Sequence, residues 1–236
     1  MNRTYRKHRS TASILLIITA IAVAVLIAAA AFIYFAGIRY IRYNYEDGYV
    51  KYFGRVDENG DPLSGTLVYE SGVRAKVNLE KTEISYSNGD LYEGPLKNLR
   101  RHGYGRLIYK NGDVYEGEYK DDFSEGHGVY RHANGAVYEG AYRNGKCNGY
   151  GVYRYTDGSS YEGEFKDGHR HGHGVYRYAS GSVFEGEYKD GKCYGTATIR
   201  FANGDTYVGE VSEGGQMHGQ GSYRFADGRV YNGEFR

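Results

Sequence analysis

Two hydrophobic patterns divide the chain. From Ser10 to Ile38 (STASILLIITAIAVAVLIAAAAFIYFAGI) there is no charged side chain. At about 1.5 Å of rise per residue, roughly 20 apolar residues cross the hydrocarbon core of a bilayer. A transmembrane α-helix over residues 11–38 is therefore the leading expectation, with Tyr34 and Tyr40 suited to an interface at its distal end. Two readings compete with it. A cleaved signal peptide is one, since the Ala28–Ala31 run resembles a processing site, although the usual apolar stretch is only about 7–15 residues. A buried soluble helix is the other, and it lacks an obvious compartment. Beyond this segment the helical period is absent. Apolar and polar positions alternate instead, as in Tyr115, Gly117, Tyr119 and Gly151, Tyr153, Tyr155. Period two bounded by Asn-Gly, Asp-Gly or Ser-Gly pairs is the pattern of a β-hairpin.

The alternation repeats every 23 residues. Units begin at Tyr92, Tyr115, Tyr138, Tyr161, Phe184 and Tyr207, and a half-unit begins at Tyr231; the last interval is 24 because of an extra residue near Gly214 and Gly215. Gly54, Gly65 and Gly72 stand at the offsets of Gly94, Gly105 and Gly112, which makes the stretch from Tyr52 a worn copy. Repetition at this period signals an array of supersecondary units. The expected fold is an all-β repeat array: an elongated, twisted single-layer antiparallel sheet of tandem hairpins preceded by one helix. The expected boundaries are a basic segment at 1–10, the helix at 11–38, a juxtamembrane linker at 39–51, divergent capping repeats at 52–91 and the clean repeats at 92–236.

Composition sharpens the sheet. There are 36 Gly, 28 Tyr and no Trp in 236 residues. Period two puts the tyrosines and strand glycines on one face, where glycine leaves room for neighbouring rings. The other face carries Glu116, Glu139, Glu162 and Glu185 from first strands and Arg131, Arg154, Arg177 and Arg200 from second strands. Such pairs are worth about 0.2–1 kcal/mol each and set register more than recognition.

Six of the 30 Lys and Arg residues and none of the 29 acidic ones fall in the first 42 positions, so the rest is acidic by five charges. That balance argues against a nucleic-acid surface and gives only weak support to anionic lipid headgroups as partners of the repeats. Arg3, Arg6, Lys7 and Arg9 precede the apolar run, and Arg39, Arg42 and Lys51 follow it. The small excess favours a cytoplasmic N-terminus with the repeats extracytoplasmic or luminal.

Candidate chemistry is sparse. His169, His171 and His173 alternate and could face one metal ion, but no carboxylate or thiol at ligand spacing completes the set. Cys147 and Cys193 share one unit position two units apart. At about 4.8 Å per strand they lie too far apart for a disulfide. No phosphate-binding loop or dinucleotide fingerprint occurs, so neither a catalytic site nor a cofactor is expected. The aromatic face is the richest recognition surface. Its candidates for protein binding are Tyr115, Tyr119, Tyr138, Tyr142, Tyr153, Tyr155, Tyr161, Phe165, Tyr176 and Tyr178.

The aromatic-acid-Gly start, polar turn and Gly-x-Gly second half, as in YEGEFKDG and GHGVYR, resemble the membrane occupation and recognition nexus (MORN) repeat. The resemblance covers 92–236 closely and 52–74 loosely. It departs at Leu96, Ala197, Val208 and Val211. It implies an antiparallel repeat sheet used for tethering, docking or, less securely, phosphoinositide contact. The expected function is a non-enzymatic membrane-anchored scaffold, bound to the bilayer through residues 11–38 and to a protein partner or a second copy through the C-terminal sheet edge. An accessory subunit of a separate membrane enzyme and an acidic-lipid-binding module are the alternatives.

Overall fold

The computed structural model describes residues 11–236, and the basic segment 1–10 lies outside them. The described residues divide into two compact units, 11–80 and 81–236.

The first unit opens with helix α1 (Thr11–Phe35). Every side chain from Leu15 to Phe35 is exposed. With a mean hydropathy of 3.0, the segment is long and apolar enough to cross a membrane by length and composition, and it is not a core helix of its own unit. Gly37, at φ +70°, ends the helix in the left-handed conformation that glycine tolerates best. The chain turns at once into strands β1 (Ile38–Tyr45), β2 (Gly48–Val56), β3 (Pro62–Tyr69) and β4 (Arg74–Asn78), each antiparallel to the next. Residues 39–51, expected as a linker, are thus a hairpin: Tyr40 stands opposite Phe53 and Arg42 opposite Lys51. The alternation of RYIRYNY carries this hairpin in the sequence.

The second unit begins with the short strands β5 (Glu83–Tyr86), β6 (Leu91–Glu93), β7 (Leu96–Lys97) and β8 (Arg100–Arg101), followed by β9 (Gly103–Ile108). The regular hairpins follow: β10 (Val114–Lys120) with β11 (Phe123–Arg131), β12 (Val137–Arg143) with β13 (Lys146–Arg154), β14 (Ser160–Lys166) with β15 (His169–Arg177), and β16 (Val183–Lys189) with β17 (Lys192–Arg200). Strands β18 (Thr206–Val211), β19 (Met217–Arg224) and β20 (Val230–Phe235) complete it. β9 pairs with β6, and from β9 onward each strand pairs antiparallel with the next. An all-β array of tandem hairpins behind one helix is the observed architecture.

The core of each repeat is one ring over two glycines. Gly117 stands opposite Gly128, and a Cβ on either would fall 2.5–2.7 Å from the Tyr115 hydroxyl. Tyr138 covers Gly140 and Gly151 in the same way, Tyr161 covers Gly163 and Gly174, and Tyr207 covers Gly209 and Gly221. The register slips after the first glycine, leaving Glu118, Ala141 and Glu164 without an opposite residue on the following strand. Their carbonyls accept the hydroxyls of Tyr115, Tyr138 and Tyr161 at 3.0, 3.0 and 3.1 Å. Each ring therefore fills the glycine gap and satisfies the bulge that the gap creates. The worn copy keeps the arrangement: Tyr52, fully buried, lies against Gly54 and Gly65.

One repeat departs in two places at once. Phe184 has no hydroxyl, and the glycine position opposite Gly186 is Ala197. Losing the oxygen leaves room for the methyl group.

This pairing yields a double-mutant test. Gly151→Ala should destabilise the protein by about 1–3 kcal/mol through overpacking. Tyr138→Phe alone should cost about 1 kcal/mol by leaving the Ala141 carbonyl unpaired. The two together should cost clearly less than their sum in denaturant melts followed by tyrosine fluorescence. Strict additivity would contradict the ring-over-glycine account.

Candidate functional site

The aromatic face carries two rows of rings rather than one. The first runs edge to face through Tyr92, Tyr119, Tyr115, Tyr142, Tyr138, Phe165, Tyr161, Tyr188 and Phe184, with centroids 5.0–5.8 Å apart and interplanar angles of 68–88°. Each such pair adds about 0.5–1.5 kcal/mol beyond its burial. These rings are 0–7% exposed. Of the ten candidates, Tyr115, Tyr119, Tyr138, Tyr142, Tyr161 and Phe165 are therefore core, sealed by one another.

The second row is accessible. Tyr109, Tyr130, His132, Tyr153, Tyr155, Tyr176 and Tyr178 stack as tilted rings 4.5–5.9 Å apart. Tyr130, Tyr153 and Tyr176 stand directly opposite Tyr115, Tyr138 and Tyr161, which places both rows on one face. They are half-buried, and Tyr178 is 45% exposed. The remaining four candidates, Tyr153, Tyr155, Tyr176 and Tyr178, lie together here. Sequence reasoning missed Tyr109, Tyr130 and His132 as members of the row. Comparing the units column by column finds them, because each occupies the position of a named tyrosine one or two units away.

Turn residues hold the second row upright. Asp113 accepts the Tyr130 hydroxyl at 2.8 Å and the Ala133 N–H of the next turn at 2.7 Å. Asp205 does the same for Tyr223 at 2.6 Å and Ala226 at 2.7 Å. The Ala133 N–H and then the Tyr130 hydroxyl hold the Asp113 carboxyl below the ordinary range. The neighbouring Asp205 carboxylate, more than burial, pushes the Tyr223 phenol up to about 12.

On the opposite face Arg106–Glu93, Arg154–Glu139 and Arg200–Glu185 pair at 3.1–3.3 Å. All are substantially exposed, so each is worth at most about 1 kcal/mol.

Two arginines sit at one unit position on the aromatic face, and they differ. Arg101 lies over Tyr119 at 5.0 Å and is clamped by Asp122, which accepts from its Nε at 3.1 Å and, through its main-chain carbonyl, from Nη2 at 2.7 Å. Asp122 adopts φ +76°, at a turn position where three of the following hairpins carry Gly145, Gly168 and Gly191 at φ +78° to +90°. Arg170 lies 5.1 Å over Tyr188, 5.6 Å over Tyr161 and 5.8 Å over Tyr176, and it donates to the Gly191 carbonyl at 3.0 Å. No carboxylate among the described residues forms an ion pair with it.

The three candidate histidines do not converge. His171 Nδ1 is 3.8 Å from Asp190 and His173 Nε2 is 3.7 Å from Glu185, while His169 is exposed. Among the described residues no three His, Cys, Asp or Glu side chains could hold a metal ion. Cys147 and Cys193 are free thiols, and burial pushes both up in pKa, the reverse of what an activated nucleophile needs.

Two clefts stand out among the described residues. One of about 670 Å³ lies near the hairpin turns between Arg143, Lys146, Glu164, Lys166, Asp167 and His171, where two acids offset three cations. The other, about 360 Å³, is largely apolar and is lined by Tyr178, Phe184, Ile199, Phe201, Gly215 and Met217.

The chain belongs to the MORN repeat family: residues 92–114, 115–137, 138–160, 161–183, 184–206 and 207–228 each match its repeat. No curated protein matches the chain significantly. Among solved structures it is similar to the TCP domain of SAS-4 (dCPAP) from Drosophila melanogaster, in complex with a proline-rich motif of Ana2 (dSTIL), at 15% identity and TM-score 0.43. That match covers 74% of this chain and 91% of the other. It is also similar to the TCP10 domain of Danio rerio CPAP, in complex with a peptide of STIL, at 12% identity and TM-score 0.46. The shares covered are 83% and 84%.

Burial raises the pKa of the first-row tyrosines, Tyr119, Tyr142 and Tyr188 among them. A raised folded pKa contributes stability that is full below the unfolded value of about 10 and is lost as pH climbs through the folded value. Stability should therefore hold up to about pH 10 and then fall, with tyrosinate absorbance rising in a late cooperative step. Smooth ionisation of all the tyrosines near pH 10 without unfolding would contradict the buried row.

Proposed function

We propose that this protein is a non-enzymatic, single-pass membrane-anchored scaffold whose repeats hold a protein partner on the second tyrosine row. The observation that carries the reading is the division of labour between the two rows. The first is consumed in the core, whereas the second presents phenol rings that are half-exposed, held upright by turn residues and aligned along the sheet. Such rings offer large apolar contact area with a polar tip and little rotamer entropy to lose, the properties of interface anchors. Helix α1, apolar and fully exposed from Leu15 to Phe35, supports attachment to a bilayer. The charge excess before it supports a cytoplasmic N-terminus with the repeats on the other side.

Proximity labelling tests the reading, with the labelling enzyme fused after Arg236 of the full chain in its native membrane. Wild type and a Tyr153→Glu/Tyr176→Glu variant should both sit in the membrane, with the fusion protected from protease in sealed vesicles whose cytoplasmic face is outward. The variant should lose a defined set of wild-type neighbours by about tenfold or more. An unchanged neighbour set would overturn the docking role of the row. Recovery of one stoichiometric enzyme whose rate depends on the repeats would replace the scaffold with an accessory subunit. Salt-sensitive binding of the full chain to phosphoinositide vesicles, with no protein neighbour lost, would replace both with lipid recognition.

A further inference from the structure

The second row is broken once, and the break is where the repeat is least regular. Tyr130, Tyr153, Tyr176 and Tyr223 occupy one unit position; the first unit has Leu107 there, before the row begins, and the fifth, within the row, has Ile199, 7% exposed. Tilted ring contacts run unbroken from Tyr109 to Tyr178 and resume from Phe201 to Tyr223 and Phe225. The missing ring leaves the apolar cleft of about 360 Å³, walled by Tyr178 and Phe201 and floored by Phe184 and Ile199. The extra residue of the sixth unit closes its far side: a Cβ on Gly215 would lie 3.4 Å from both Phe184 and the Cys193 Sγ.

Arg170 stands beside this cleft. Its guanidinium is 5.8 Å from the Tyr176 ring, which packs 4.7 Å from Tyr178 in the cleft wall. It is also 5.1 Å over Tyr188, which packs 5.8 Å from Phe184 in the floor. The cation therefore lies within about 11 Å of the Tyr178 ring, some three residues of extended chain. The same chain shows what a neutralised arginine looks like at this position, since Arg101 has Asp122. The position equivalent to Asp122 is Gly191, so no carboxylate among the described residues pairs with Arg170, and its guanidinium can take one from outside.

We propose that the Ile199 cleft and Arg170 form a two-point site for a segment of a partner protein that places a bulky apolar side chain in the cleft and an Asp or Glu carboxylate on the guanidinium, about three residues away. The inference rests on the protein-docking reading of the second row and gives that row a specific address. An apolar cleft alone would accept many occupants. The unpaired cation at this spacing selects an acidic one, because a half-buried guanidinium lying against rings gains most from a bidentate carboxylate.

The test uses the full chain in nanodiscs, panned with a displayed library of random 12-residue peptides, with enriched peptides then measured by fluorescence anisotropy. The enriched sequences should share a Leu, Ile, Met or Phe with Asp or Glu about three positions away. Changing that peptide acid to its amide should weaken binding about tenfold or more. Gly191→Asp, which reproduces the Arg101–Asp122 arrangement, should weaken the parent peptide similarly and make the amide substitution nearly silent. Ile199→Tyr, which restores the ring other units carry, should abolish selection of the apolar residue. Tyrosine-fluorescence melts verify that both variants fold, and Arg170→Gln gives a third variant that leaves the turn untouched. Peptides that bind Gly191→Asp, Arg170→Gln and Ile199→Tyr as tightly as wild type but are lost with Tyr153→Glu would overturn this site and leave the row's docking role standing. Enrichment of no peptide would overturn both.

Discussion

The structure depends on a tyrosine ring laid across a pair of facing glycines. A lone antiparallel sheet has no second layer to bury its apolar face, and rings standing upright on such a face would leave gaps between them. Removing two Cβ atoms from opposite strands lets one ring lie down over the backbone, and the next ring then meets its edge. Burial of such a side chain is worth about 1.5–3 kcal/mol. The edge-to-face contact adds to that, and the hydroxyl closes the carbonyl opened by the bulge. Sheet, core and bulge satisfaction are thus one interaction repeated, which explains why the ring that opens each unit and its two facing glycines recur together. Where it does change, at Phe184 and Ala197, it changes in both partners.

That use of the first row frees the second. Because Tyr115, Tyr138 and Tyr161 already fill the space over the glycines, the rings opposite them are pushed to the outer part of the face and remain half-exposed. They are kept upright by Asp113, Ser159 and Asp205 at 2.6–2.9 Å. A row of rings fixed by hydrogen bonds to the turns loses little entropy on meeting a partner. The irregular fifth and sixth units then convert a uniform surface into one with a distinguishable place, next to a guanidinium that lacks the carboxylate found at Arg101.

Much of this was legible in the sequence. The period, the hairpins, the glycine–aromatic face and the Glu–Arg face follow from residue alternation alone, and so does the apolar helix. The division of the aromatic face into a sealed and an open row was not legible. Tyr138 stands two residues before Gly140 and Tyr153 two residues after Gly151, so both read as members of one alternating face, and only the packing over the glycines shows which ring lies down and which stands. The bulge that carries the Tyr138 hydroxyl bond is likewise invisible, because it shows only in the pairing, where Ala141 faces the three residues Asn148, Gly149 and Tyr150 in a unit of constant length. The significance of Arg170 emerges only against Asp122 and Gly191, about 20 residues further on from Arg101 and from Arg170, and brought back beside them by the strand pairing.

The most direct measurement is the α-proton chemical shift of the glycines, read by NMR on the full chain in nanodiscs with selectively labelled glycine. Glycines beneath rings, such as Gly117, Gly128, Gly140 and Gly151, should show strong upfield ring-current displacement. Turn glycines with nothing above them, such as Gly158 and Gly191, should resonate at ordinary positions. If strand and turn glycines showed the same shifts, the rings would not lie over the glycine pairs, and the core described here would be wrong.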